Sequence, residues 1–200
     1  MKNVNQLFWE KLYEGFKQYK SSYAPFNIVD YPPTNHPAFE YLKNTENDHA
    51  LGLHLIEYGH ETIISLKNIT ANHQLASFTA LHELGHALDD LVFKDISLTH
   101  DFDKIHKREQ PSFIPGGHFE KVQEYFAECF AYYYYIGPEN SNQILKDEAP
   151  KTYEFISNLE NLLPQIKLKN DTHSVNSSNI RLNFIFHNSI CNIYYKKQCK

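Results

Sequence analysis

Residues 75–92 admit few folds. Leu75, Phe78, Leu81, Leu84, Leu88, Leu91 and Val92 recur every three or four residues, so the spacing predicts an α-helix with one packed face. Inside that stretch stand His82, Glu83, Leu84, Gly85 and His86. Positions i and i+4 share a helix face, so both imidazoles can reach one metal ion. Glu83 lies beside the first histidine, where a carboxylate can take a proton from an activated water. The pattern reads H-E-x-x-H, the signature of a zinc peptidase helix. The chain has 12 His in 200 residues, and a chance match at this composition is expected about 0.05 times. An exposed helix with two surface histidines is the plain alternative, and the apolar flanks argue against it. So does Gly85, since glycine costs a helix about 1 kcal/mol relative to alanine. A glycine between two candidate ligands implies close packing there.

Catalytic zinc usually takes three protein ligands and keeps a fourth position open. The continuation H-E-x-x-H-x-x-G-x-x-H fails, because Asp89 stands at its glycine position and Val92 at its third histidine. The other common solution is a glutamate on a later helix. Residues 120–135 read as that helix, with Glu120, Glu124 and Glu128 at i, i+4 spacing. Three carboxylates on one stripe repel each other, and a cation or ring N–H groups would relieve the repulsion. Phe126, Phe130, Tyr133 and Tyr134 make much of the same helix apolar, so a carboxylate there needs a partner.

Three segments follow in order: LHELGHALDD (Leu81 to Asp90), EYFAECFAYYY (Glu124 to Tyr134) and LKDEAPKTYEFISNL (Leu145 to Leu159). Together they resemble the anthrax lethal factor-like metallopeptidases, a family that includes small secreted peptidases cutting between prolines. The resemblance covers residues 25–165 and is densest over 75–160. It implies an α+β fold, zincin-like and of the gluzincin type. That fold has a small mixed sheet, an active-site helix bearing H-E-x-x-H and a helical C-terminal half. It implies that His82, His86 and Glu124 hold one Zn2+ ion and that Glu83 is the catalytic base. Glu128, one turn after Glu124, would orient a ligand histidine through its other ring nitrogen. For Asp89, support of the site and plain solvation both stay open. Glu120 reads as solvent-facing, or as a charge meeting the start of the helix dipole.

One position departs from the family. A tyrosine seven residues before the glutamate ligand would steady the oxyanion of a tetrahedral intermediate, and Gly117 stands there. His118 is one residue away and is a candidate donor to that oxyanion. A loop histidine with no role is the competing reading. The resemblance implies zinc-dependent endopeptidase action on an extended polypeptide by a secreted or toxin-like protein. Two alternatives stay open: an intracellular regulatory peptidase that also uses H-E-x-x-H, and a zinc-binding toxin domain weakened at Gly117 that acts by binding.

Composition narrows the partners. A length of 200 residues with 42% hydrophobic content fits one catalytic domain with a packed core. A net charge of −5 gives no electrostatic reason to expect nucleic acid or an anionic membrane. No apolar run is long enough for a transmembrane helix. The expected partner is a protein or peptide substrate, and a monomer is favoured. Residues 1–20 lack a continuous apolar stretch and a small-residue cleavage site, so no secretory signal is read in them. The resemblance alone implies an extracellular protein. Cys129 is expected to be a small buried residue. Cys191 and Cys199 could pair, but three cysteines give no clean framework.

Three parts are expected along the chain: an amphipathic helix docked on the domain within 1–24, the metallopeptidase domain at 25–167, and a polar linker and tail at 168–200. A short strand is predicted over Phe26 to Asp30, and a short helical piece near Phe39 to Lys43. The β-branched run Glu61 to Leu66 is predicted as a strand, at a sheet edge where extended substrate could add. Lys94 to Phe119 reads as a polar loop with at most a short helix, leaving His100 and His106 exposed. Gly137 and Pro138 stop the second metal-bearing helix. Two short helices follow, over Asn140 to Asp147 and Lys151 to Leu163.

Overall fold

The structure, a computed structural model, describes residues 4–19, 23–24, 26–56, 60–69, 73–135, 137 and 140–163. All of them belong to one compact unit spanning residues 1–168. The expected linker and tail, Cys191 and Cys199, and the stop at Pro138 lie outside the described residues.

Helix α1 (Gln6–Phe16) begins at Asn5, whose side chain accepts from the Leu7 N–H at 2.9 Å and so satisfies one free donor of the first turn. Phe8, Leu12 and Phe16 are buried one turn apart, which gives the amphipathic face. Phe8 meets Phe93, Phe130 and Tyr134 edge-on at centroid distances of 6.0, 6.1 and 6.1 Å. The helix is thereby tied to the main core.

The sheet has three strands: β1 (Phe26–Val29), β2 (Gly52–His54) and β3 (Thr62–Ser65). Their order is β1-β3-β2, with β1 parallel and β2 antiparallel to β3. The edge position expected for residues 61–66 is therefore corrected. Both sides of β3 are paired, and all four of its residues are buried. A run of Thr and Ile suits a strand covered on both faces, which is the central position. β2 supplies an edge instead. Between β1 and β2 the chain makes short 3-10 turns, including Pro37–Leu42 over the expected helical piece.

The other helices are α2 (His73–Leu91), α3 (His100–Phe113), α4 (Val122–Tyr134), α5 (Ser141–Glu148) and α6 (Pro150–Leu162). Leu81, Leu84 and Leu88 of α2 are buried in one cluster with Tyr125, Phe126 and Phe130 of α4. Gly85 sets how closely these two helices approach. A Cβ on it would lie 2.9 Å from Ala127 Cα and 3.2 Å from Phe130 Cβ. The backbone of α4 thus occupies the space that any other side chain would need.

Helix α3 replaces the loop expected before α4. Its buried face is Phe102, His106, Glu109, Gln110 and Phe113. His100 is exposed, but His106 is not. Its Nε2 donates to the Phe119 carbonyl at 2.9 Å, and its ring packs 5.0 Å from that of Tyr125. Glu109 accepts from the Lys151 N–H at 3.0 Å, and from the Thr152 N–H and hydroxyl, both at 2.8 Å. A carboxylate placed on the first N–H groups of α6 also meets the positive end of its dipole. Glu109→Leu lets the Thr152 hydroxyl keep its bond with the Tyr125 hydroxyl but leaves the Lys151 and Thr152 N–H groups unpaired. It is expected to cost about 2–4 kcal/mol in urea unfolding, and a cost under about 0.5 kcal/mol would show that the cap is idle.

Candidate active site

Helices α2 and α4 cross so that their polar faces meet beside the Gly85 contact. His82 and His86 stand one turn apart on α2, with their Nε2 atoms 3.2 Å from each other. Both face a single oxygen of Glu124, at 3.4 and 3.3 Å. These three donor atoms lie within 4.8 Å of one another. Glu128, one turn along α4, sits 2.8 Å from His82 Nδ1. Donation of the Nδ1 proton to Glu128 fixes the tautomer and leaves the Nε2 lone pair free for a cation. Two imidazole nitrogens and a carboxylate oxygen suit a first-row divalent metal with an open position.

The charges are tightly coupled. Burial opposes ionisation of Glu124, but hydrogen bonds with His82 and His86 hold its carboxyl well below the usual range. Burial also opposes a charged His82, yet with no cation at the site hydrogen bonds with Glu124 and Glu128 raise its pKa to about 10, so a cation there takes the place of its Nε2 proton. His86 is pushed down by burial. Glu83 is 6% exposed. Burial pushes its pKa up to about 7, against the pull of His82 and together with the charge of Glu124.

Gly52 makes room for that carboxyl. A Cβ on Gly52 would lie 2.6 Å from Glu83 Cγ and 2.7 Å from its Oε1. The β2 backbone therefore passes directly over Glu83. Gly52 belongs to no motif, and its one signal in the sequence is that of a glycine in a short strand, a sign of close backbone approach.

The remaining expected residues fall differently. His118, in an exposed loop, places its Nε2 2.9 Å from the Glu124 oxygen that both α2 histidines share. Gly117 has nothing within 4 Å of where a side chain would begin. Glu120 is exposed and precedes α4. Cys129 is fully buried. Asp89 is neither solvated nor joined to the histidine pair. It is 3% exposed and accepts from the Ser97 N–H at 2.9 Å and the Ser97 hydroxyl at 2.5 Å. It therefore fastens the turn that follows α2.

Burial raises the Asp89 pKa to about 6, against the two bonds from Ser97. A carboxyl that binds its proton more tightly when folded stabilises the fold below its ordinary pKa. That contribution is lost as pH rises through about 6. Asn at this position can still pair with both Ser97 groups and carries no charge to bury. Asp89→Asn is therefore expected to be more stable than wild type at pH 8, by up to about 3 kcal/mol. The two proteins should be equal near pH 4, and an advantage that does not change with pH in chemical unfolding would contradict the reading.

Fold and donor set together define a mixed α+β protein whose two central helices bring two histidines and a glutamate to one point beside a buried carboxyl. The chain belongs to the family described as anthrax toxin lethal factor, N- and C-terminal domain, which matches residues 16–159. A Pro-Pro endopeptidase of Clostridioides difficile (strain 630) is 40% identical over 80 residues, 40% of this chain and 36% of that protein. One from Paenibacillus alvei is 37% identical over 81 residues, with the same coverage of 40% and 36%. The match thus spans about a third of each relative's length. The solved structure of a Pro-Pro endopeptidase from Paenibacillus alvei superposes with a TM-score of 0.61 at 23% identity, covering 78% of this chain and 84% of that one. That likeness establishes a shared fold.

Proposed function

We infer that this chain is a zinc-dependent endopeptidase of the gluzincin type, acting on an extended polypeptide outside the cell. The observation that carries the reading is the meeting of His82 Nε2, His86 Nε2 and Glu124 Oε2 within 4.8 Å, next to a buried Glu83. His82, His86 and Glu124 would hold the ion, and Glu128 would keep His82 in the ligating tautomer. Zinc bound there would supply Lewis acidity toward the scissile carbonyl and toward water. Glu83 takes the proton of the attacking water and passes it to the leaving amine. His118, whose Nε2 sits on the Glu124 oxygen, would have to turn from that oxygen to donate to the developing oxyanion in place of the family tyrosine. The backbone of β2 offers an edge on which an extended peptide can add beside Glu83. Residues 25–167 form the catalytic domain in this reading, with α1 as a docked helix.

Both curated relatives are named Pro-Pro endopeptidases, so bonds between prolines are the first substrates to test. Internally quenched peptides, with and without a Pro-Pro pair, should be cut by the zinc-loaded chain. Cutting should stop with a chelator and return with added zinc. A chain that binds zinc yet cuts no peptide would favour the binding role, for which the open surroundings of Gly117 speak.

A further inference from the structure

A second group of metal-type donors lies one turn further along α2, where Asp90 follows His86 by four residues. His54 ends β2, His60 stands two residues ahead of β3, and Asp90 is the penultimate residue of α2. His54 Nε2 is 3.1 Å from Asp90 Oδ2, and His60 Nδ1 meets the same oxygen. The three donor atoms lie within 4.8 Å of one another. None belongs to a solvated surface group: the side chains are 2%, 11% and 10% exposed for His54, His60 and Asp90. We propose that His54, His60 and Asp90 form a second metal site, of the zinc type, distinct from the one at His82, His86 and Glu124.

The chemistry and the orientation of the donors agree. Two imidazole nitrogens and one carboxylate oxygen are a common zinc set. His54 Nδ1 lies 2.9 Å from the Thr62 hydroxyl. With its Nδ1 proton given to Thr62, His54 directs the Nε2 lone pair at the cluster, as ligating histidines do. His60 holds a φ of 58°, in the left-handed region that few residues other than glycine occupy. The Tyr19 ring lies over His60 with centroids 3.6 Å apart. Backbone and packing thus both fix where the His60 ring lies, and its Nδ1 meets the cluster at Asp90.

Such a site has a structural role. It joins the end of β2, the segment before β3 and the end of α2. Because β2 carries Gly52 against Glu83, an ion at its far end would hold that strand over the carboxyl. Metal binding at a buried, preformed cluster contributes directly to folding stability. The competing arrangement is a metal-free knot in which one carboxylate oxygen accepts both ring N–H groups.

The decisive protein is the full chain carrying His86→Ala and Glu124→Ala, which removes the first cluster. After dialysis it is expected to retain one equivalent of zinc, bound more tightly than about 1 μM, and zinc should raise its Tm. Adding His60→Gln should remove both the equivalent and the shift, with circular dichroism confirming the fold. Asp90→Asn in the same background changes less volume and serves if His60→Gln does not fold. In the otherwise unaltered chain, Asp90→Asn should lower zinc from two equivalents to one. No zinc on the double variant, or zinc that survives both His60→Gln and Asp90→Asn, overturns the proposal. Since the background lacks the first cluster, the result does not depend on whether the chain is a peptidase.

Discussion

Glu83→Gln is expected to lose peptide turnover by about 100- to 10,000-fold while keeping the wild-type zinc content. Gln has the size of Glu, so it fits under the β2 backbone where Gly52 leaves room. None of the three donor atoms at the first cluster belongs to residue 83, so the ion keeps its ligands. What disappears is the basic oxygen that accepts the proton. The fold should not suffer either, because a neutral amide is easier to bury than the carboxylate. The check is kcat/KM on a quenched peptide, with metal content measured on the same sample. Full turnover in the variant would remove Glu83 from the base role. Loss of turnover together with loss of zinc would assign it a structural part instead.

Gly85→Val is expected to cost at least about 3 kcal/mol and to weaken zinc binding at least about tenfold. The first atom of any side chain at 85 would meet Ala127 Cα at 2.9 Å. That atom belongs to the α4 backbone, so the contact is relieved only by moving the helix. Moving α4 also moves Glu124 and Glu128, which face His82 from the same helix. Elsewhere in a helix, replacing Gly gains up to about 1 kcal/mol from propensity. A neutral or stabilising result in urea unfolding would therefore show that the crossing is looser than the distances say.

The helices that carry the site were legible because each reports its own burial locally. Leu81, Leu84 and Leu88 mark α2, and Phe126 and Phe130 mark α4, at spacings that need no knowledge of the rest of the chain. Helix α3 was not legible for the opposite reason. Its buried face includes His106, Glu109 and Gln110, which read as solvated polar residues until their partners are known. The partners of Glu109 lie 42 and 43 residues away, and no local pattern announces them. The strand at residues 62–65 was legible from its β-branched run, but its place in the sheet was not. That place depends on pairing Ile63 with Asn27 and with Leu53. β2 is three residues long and opens on glycine, too short to show alternation. Asp89 carried the right chemistry for a metal site and serves Ser97 instead, a choice made by the turn after α2. His54, His60 and Asp90 were invisible as a group because they have no motif spacing, and only the return of the sheet onto α2 brings them together.

His82, His86 and Glu124 are expected to hold one ion beside Glu83. Anomalous diffraction at the zinc edge from zinc-loaded crystals tests it most directly. A peak is expected about 2.0–2.2 Å from His82 Nε2, His86 Nε2 and a Glu124 carboxylate oxygen. A saturated crystal with no peak at that point, whatever appears elsewhere in the chain, would contradict it.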